Sequence, residues 1–83
     1  MQMNLKILSP EEIIVDKSAD FVHLKMESGS VGILPGHIPL AGKIRRSLVK
    51  FKRNNEEEQV KVDEGYAVVM PDSVTVFTAK KQQ

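Results

Sequence analysis

Histidine is the side chain of first interest here, because imidazole titrates near neutrality and is also a common metal ligand. The chain has two, His23 and His37. Neither belongs to a set of His, Cys, Asp and Glu at the spacing of a metal site, so no metal is expected. Alternation puts His23 on the outward face of a strand beside Phe21 and Lys25, half-exposed and structural. His37 follows a tight turn, where it packs the turn, makes a contact or responds to protons. Ser9, Ser18, Ser28, Ser30, Ser47 and Ser73 lie in turns or at strand ends, and none occupies a Gly-x-Ser-x-Gly elbow. The carboxylates of Glu11-Glu12 and Glu56-Glu57-Glu58 cluster beside turn signals, where solvation explains them. With no cysteine there is no thiol nucleophile, thiolate site or disulfide framework. No Gly-rich loop opens a helix to cradle phosphate. The expectation is a chain with no catalytic residues and no cofactor, not an enzyme by itself.

The elements that carry these residues read as β throughout. Leu5 and Ile7 alternate with Asn4 and Lys6, and Val22, Leu24 and Met26 with Phe21, His23 and Lys25. Val60 and Val62 alternate with Gln59 and Lys61, and Val74 and Val76 with Thr75 and Phe77. Turn chemistry separates the runs at Ser9-Pro10, Ser28-Gly29, Pro35-Gly36, Asn54-Asn55, Glu64-Gly65 and Pro71-Asp72. The pattern predicts an all-β fold, a small two-sheet β-sandwich of short, mostly antiparallel strands. Val22, Leu24, Met26, Val49, Phe51, Val60, Val62, Val74 and Val76 should point inward, and Lys25, Lys50, Lys52 and Lys61 outward.

Eighty-three residues, 41% apolar and 28% charged, suit one soluble domain spanning 1–83, with a core small enough for a partner to add stability. The apolar runs are too short to cross a bilayer, and a basic-then-apolar leader is missing from the start. Direct membrane insertion is therefore not expected.

Net charge is only +1, yet charge is segregated. Six bases (Lys43, Arg45, Arg46, Lys50, Lys52, Arg53) precede Asn54-Asn55, and five acids (Glu56, Glu57, Glu58, Asp63, Glu64) follow it with one base, Lys61. The blocks should pair as a hairpin with opposite charges across strands, each pair worth about a few tenths of a kcal/mol. That favours a solvated, neutralised face over a nucleic-acid surface, which needs unneutralised charge and stacking aromatics.

Two features remain. Leu24-Lys25-Met26 has the look of the Met-Lys-Met tripeptide of small biotinyl or lipoyl carrier domains, which present a lysine for modification at an exposed hairpin tip. Here the tip falls at Glu27-Ser28-Gly29-Ser30 and Lys25 lies within the strand. The other is Gly32-Ile33-Leu34-Pro35-Gly36-His37-Ile38-Pro39-Leu40. Pro35 presets φ for a turn and Gly36 accepts the positive φ of a type II turn, while Ile33, Leu34, Ile38 and Leu40 crowd an element that is ordinarily polar. Apolar side chains around a rigid loop either plug the end of a sandwich or face a partner.

This segment resembles the signature of the epsilon subunit of rotary F-type ATP synthase, in its N-terminal β-sandwich domain. The family's Gly-x-x-Gly-[Ile/Leu]-x-Pro-x-His-x-Pro-Leu pattern is matched at Gly29, Gly32, Ile33, Pro35, His37, Pro39 and Leu40. Leu5-Lys6-Ile7-Leu8-Ser9-Pro10-Glu11 is similar to its opening strand and turn. Glu64-Gly65-Tyr66-Ala67-Val68-Val69-Met70-Pro71 and Ser73-Val74-Thr75-Val76-Phe77-Thr78-Ala79 are similar to its closing strands. The resemblance implies a non-catalytic central-stalk subunit, peripheral at the cytoplasmic face of the cell membrane. It would link the gamma subunit to the polar loops of the c-ring, with the rest of the F1 complex as further partners and no nucleic acid. It would thereby couple ion translocation to ATP synthesis and hydrolysis. Contact residues implied are Ser30, Gly32, Ile33, Leu34, Pro35, Gly36, His37, Ile38, Pro39 and Leu40, with Leu34 and Ile38 as anchors because Pro35-Gly36 reverses the chain between them.

The chain departs from the pattern at four places. Ser30 stands where an acid is frequent, Arg46-Ser47 where Pro-Gly is common, and Glu64-Gly65 where Gly-Gly is common. It also reaches Gln83 without the family's C-terminal helical hairpin, so no inhibitory or ATP-binding role is implied.

Overall fold

A computed structural model describes residues 1–79, and every described element is a strand. In chain order these are β1 (Met3–Leu8), β2 (Ile13–Ala19), β3 (Phe21–Met26), β4 (Gly29–Ile33), β5 (Leu40–Ile44), β6 (Ser47–Arg53), β7 (Glu56–Val62), β8 (Gly65–Met70) and β9 (Ser73–Thr78). Alternation builds the interior. Met3, Leu5 and Ile7 of β1 are buried while Asn4 and Lys6 are exposed. Of the residues expected inward, Val22, Leu24, Met26, Val49, Phe51, Val62, Val74 and Val76 are buried. Val60 is half-buried against the same core, and Lys25, Lys50, Lys52 and Lys61 are exposed. Each large side chain so buried contributes about 1.5–3 kcal/mol.

The two layers anticipated as separate sheets are joined as one curled sheet in the order β2-β1-β9-β8-β5-β3-β6-β7, with β4 on the free edge of β3. Every described pairing is antiparallel except β1 with β9. The register is irregular where β5 runs into β6. Met26 pairs with Ile44 and His23 with Lys50, so five residues, 45–49, stand opposite two, 24 and 25. Surplus residues on one strand bend and twist a sheet, and here they turn one layer over the other. The end strands of the path meet as a result, with Lys17 Nζ 3.0 Å from Glu58 Oε1.

Local chemistry sets the turns. Asn54 and Asn55 have φ of 52° and 70°, the paired positive values of a type I′ hairpin, which fix the β6–β7 register from Arg53–Glu56 to Ser47–Val62. The buried Thr78 clips the β7–β8 corner. Its Oγ1 accepts the Asp63 N–H at 2.9 Å and donates to the Asp63 carbonyl at 3.2 Å.

Candidate functional site

Residues 34–39 connect β4 to β5 and carry no regular structure, yet hydrogen bonds define them closely. The His37 N–H donates to the Leu34 carbonyl at 3.1 Å, closing a turn over Pro35 and Gly36. Gly36 has φ +89°, which with proline before it makes the turn type II. The Gly36 N–H then donates to the Pro71 carbonyl at 2.7 Å, tying the loop to the β8–β9 turn. That second turn is held in its own place by the Asn4 N–H on the Asp72 carbonyl at 3.0 Å. The loop is therefore braced against the β8–β9 turn, which β1 in turn holds in place.

The bracing leaves two large apolar side chains outside. Leu34 is 61% exposed and Ile38 75%, one on each side of the turn. Met70, next to the Pro71 that anchors the loop, is 43% exposed. His37 is half-buried between them, with Nδ1 2.6 Å from the Ile38 carbonyl. A carbonyl only accepts, so Nδ1 holds the proton and the lone pair of a neutral ring lies on Nε2. The arrangement is a rigid apolar knob with one oriented imidazole, suited to contact rather than bond-making.

The ten residues implied by resemblance do not all fall on this knob. Ile33 is fully buried and supports the loop from inside the core. Leu40 is half-buried as the first residue of β5, opposite Val69. Pro35 is half-buried, whereas Gly36 and Pro39 are exposed. Gly32 is exposed in β4, and a side chain there would meet the Phe21 ring at 3.1 Å. Ser30 is exposed opposite Lys25, four residues of extended strand from Leu34, roughly 13 Å away. It belongs to the β3–β4 tip rather than to the knob.

Lys25 itself lies inside β3, and the tip is Glu27-Ser28 between the strands, so the carrier reading is not favoured. Among the described residues no three potential metal ligands gather. Ser47 and Lys50 have Ser-x-x-Lys spacing, a pattern easily passed over. In β6, however, an odd offset sends them to opposite faces, Ser47 beside Val49 and Lys50 outward. His23 is half-buried in β3 with Nδ1 enclosed and unpartnered among the described residues.

Another surface was not signalled in sequence. Register aligns Ile13 with Leu8, Leu8 with Phe77 and Phe77 with Tyr66, an apolar row across β2, β1, β9 and β8 on the outer face. Ile13, Phe77 and Tyr66 are 62%, 47% and 46% exposed. The β1–β9 pairing joins the first and last hairpins to complete this row, so no local sequence pattern announces it.

One acid is tuned by the fold. Asp20 Oδ2 accepts the Asn54 N–H at 2.8 Å, and this bond, then a Gln2 side-chain bond, lowers its pKa from the ordinary 3.8. Nearby positive charge at the N-terminus and on Arg53 acts in the same direction. The pair anchors the β6–β7 hairpin to the β2–β3 corner.

Comparison with known proteins bears on the whole of this architecture. The family described as ATP synthase, Delta/Epsilon chain, beta-sandwich domain matches residues 2–81. The ATP synthase epsilon chain of Bacillus thuringiensis (strain Al Hakam) is 35% identical over 79 residues, covering 95% of this chain and 59% of that protein. The epsilon chain of Bacillus cereus (strain B4264) gives the same values. The chain thus spans 59% of the length of these curated relatives. Among solved structures, a chain of the Euglena gracilis mitochondrial ATP synthase, OSCP/F1/c-ring in rotational state 1, superposes with a TM-score of 0.89 at 18% identity. The match covers 98% of this chain and 52% of that one. A chain of the Tetrahymena thermophila mitochondrial ATP synthase central stalk/c-ring gives 0.76 at 9% identity, covering 96% and 65%. At such identities these two show a shared fold.

Proposed function

The chain belongs to the ATP synthase delta/epsilon chain β-sandwich family, and from that premise we propose that it is a non-catalytic central-stalk subunit of a rotary F-type ATP synthase. In this reading residues 1–83 act as one sandwich domain that joins the gamma subunit to the polar loops of the c-ring. It couples ion translocation to ATP synthesis and hydrolysis, and lies peripherally at the cytoplasmic face of the membrane.

The observation that carries the proposal is the knob. Leu34 and Ile38 are exposed on a turn whose backbone is fixed by two hydrogen bonds, so their position costs little ordering entropy on binding. A coupling element must also hold two partners at once. The outer row of Ile13, Phe77 and Tyr66 gives the fold a second apolar surface on a different part of the sheet. A continuous curled sheet between them is a stiff link, as torque transmission requires.

The test is recovery of the chain with its complex. Affinity-tagged chain drawn from detergent-solubilised native membranes should bring gamma and c subunits with it. Recovery of the chain with neither would overturn the proposal.

A further inference from the structure

Positive charge on this molecule stands opposite acids over part of its surface and opposite neutral residues elsewhere, as at Lys43 with Tyr66 and Lys50 with Gln59. Lys6 stands opposite Asp16, Lys52 opposite Glu57 and Arg53 opposite Glu56, and Lys17 is ion-paired to Glu58. At the β5–β6 corner the pattern fails. Lys25 stands opposite Ser30, and Lys61 opposite Leu48. These two join Arg45, Arg46 and Ser47 around an open groove of about 580 Å³ with no acid among the described residues that line it. The neutralised hairpin expected from sequence therefore holds at its tip and not at its root.

The groove has a defined shape for a physical reason. The five residues opposite Leu24 and Lys25 bulge outward, and the corner is held by the Arg45 N–H on the Lys25 carbonyl at 2.9 Å and the Glu27 N–H on the Lys43 carbonyl at 2.8 Å. Ser47 Oγ donates to the Arg45 carbonyl at 2.7 Å, fixing the turn from within. Among the described residues the side-chain Nζ of neither Lys25 nor Lys61 is engaged in a hydrogen bond or ion pair. Leu48, half-buried, and Val62, fully buried, line the groove between the cations.

We infer that the groove at the β5–β6 corner docks an acidic segment of a protein partner, its carboxylates meeting Lys25 and Lys61 and an apolar residue resting on Leu48. Two features choose this occupant. No aromatic lines the groove, so a nucleobase would have nothing to stack on. The mixed lining of flexible cations and an apolar floor suits a carboxylate-rich peptide with an apolar residue. The site is on a different part of the molecule from the 34–39 knob and does not depend on the stalk reading.

The probe is a fluorescein-labelled peptide, Glu-Glu-Leu-Glu-Glu-Leu-Glu-Glu, titrated onto the whole chain by anisotropy, with the all-Gln analogue as control. Binding should be one-to-one and weaken as salt is raised. Amide shifts should move at residues 25, 45–48 and 61. Lys25→Glu with Lys61→Glu should weaken binding at least about tenfold, while Lys6→Glu with Lys52→Glu, an equal change in net charge, should leave it within about threefold. Lys25→Gln with Lys61→Gln should show the same direction of loss if the reversed pair disturbs folding. Equal losses from both reversed pairs, shifts spread over the whole surface, or binding of tripolyphosphate or a single-stranded oligonucleotide at this groove in preference to the peptide would overturn the inference. A knob variant that loses gamma and the c-ring while still binding the peptide separates this site from the proposed stalk function.

Discussion

The Gly36 N–H reaches across from the β4–β5 loop to the Pro71 carbonyl at 2.7 Å, joining two turns that lie 35 positions apart in sequence. A loop is ordinarily the mobile part of a β fold, and this bond together with the Leu34–His37 turn bond removes that freedom. The exposed apolar pair is therefore displayed at a fixed separation.

Two glycines should respond to alanine for different reasons. At Gly36 an added Cβ meets nothing within 4 Å, but φ is +89°, so Gly36→Ala should cost about 1 kcal/mol through backbone strain alone. At Gly65 the added Cβ would overlap the carbonyl of Phe77 across the β8–β9 ladder, so Gly65→Ala should cost about 3 kcal/mol, the upper part of the overpacking range. Urea midpoints of the two variants measure the order. Equal destabilisation would contradict it.

Much of this was legible in the chain itself. Val22, Leu24 and Met26 announce their strand by strict alternation, and Pro35-Gly36 announces its turn by the φ each residue prefers. The missing parts are non-local or irregular. Ile13-Ile14-Val15 does not alternate, because Ile14 is the extra residue of a bulge between the Leu8–Ile13 and Ile7–Val15 pairs, which leaves Ile13 exposed and Val15 buried. The row from Ile13 to Tyr66 and the groove beside Lys25 and Lys61 exist only once register is set. Ile33 shows the limit at the site, since an apolar neighbour of the turn reads alike whether it faces the core or solvent, and here it faces the core.

The hairpin between the charged blocks should be sensitive at Asn55. Its φ of 70° suits Gly or Asn and disfavours β-branched residues. Asn55→Val should lose about 1–2 kcal/mol, and Asn55→Gly should be neutral or gain about 0.5 kcal/mol. Thermal unfolding of the two variants checks the sign. A Val variant as stable as the parent would mean that the turn is not type I′ in solution.

Asp20 predicts an acid-side dependence. Its pKa is lower in the folded chain than the ordinary 3.8, chiefly through the Asn54 N–H, so ionisation is linked to the fold. The contribution is fully present above the unfolded-state value and is lost as pH falls through the folded value. Asp20→Asn should therefore be less stable than the parent near neutrality, and the gap should close as pH drops below 3.8. Melting temperatures of both proteins across that range test it. A gap independent of pH would show that the carboxylate charge contributes nothing.

The knob yields the prediction that bears most directly on function. Leu34 and Ile38 are 61% and 75% exposed, so Leu34→Ala and Ile38→Ala should each change stability by no more than about 0.5 kcal/mol. Ile33, fully buried beside them, should lose about 2–5 kcal/mol on the same truncation. Retention of the chain in its complex should rank the other way among folded variants. Each knob truncation should weaken association by about 2 kcal/mol if its side chain fills a pocket on the partner. Ile33→Ala, compared at a temperature where it is folded, should bind nearly as the parent does because its side chain never reaches the surface. Thermal midpoint and complex recovery measured on the same three proteins decide the matter. A Leu34→Ala, Ile38→Ala double variant that is stable and fully retained would remove the knob from the interface.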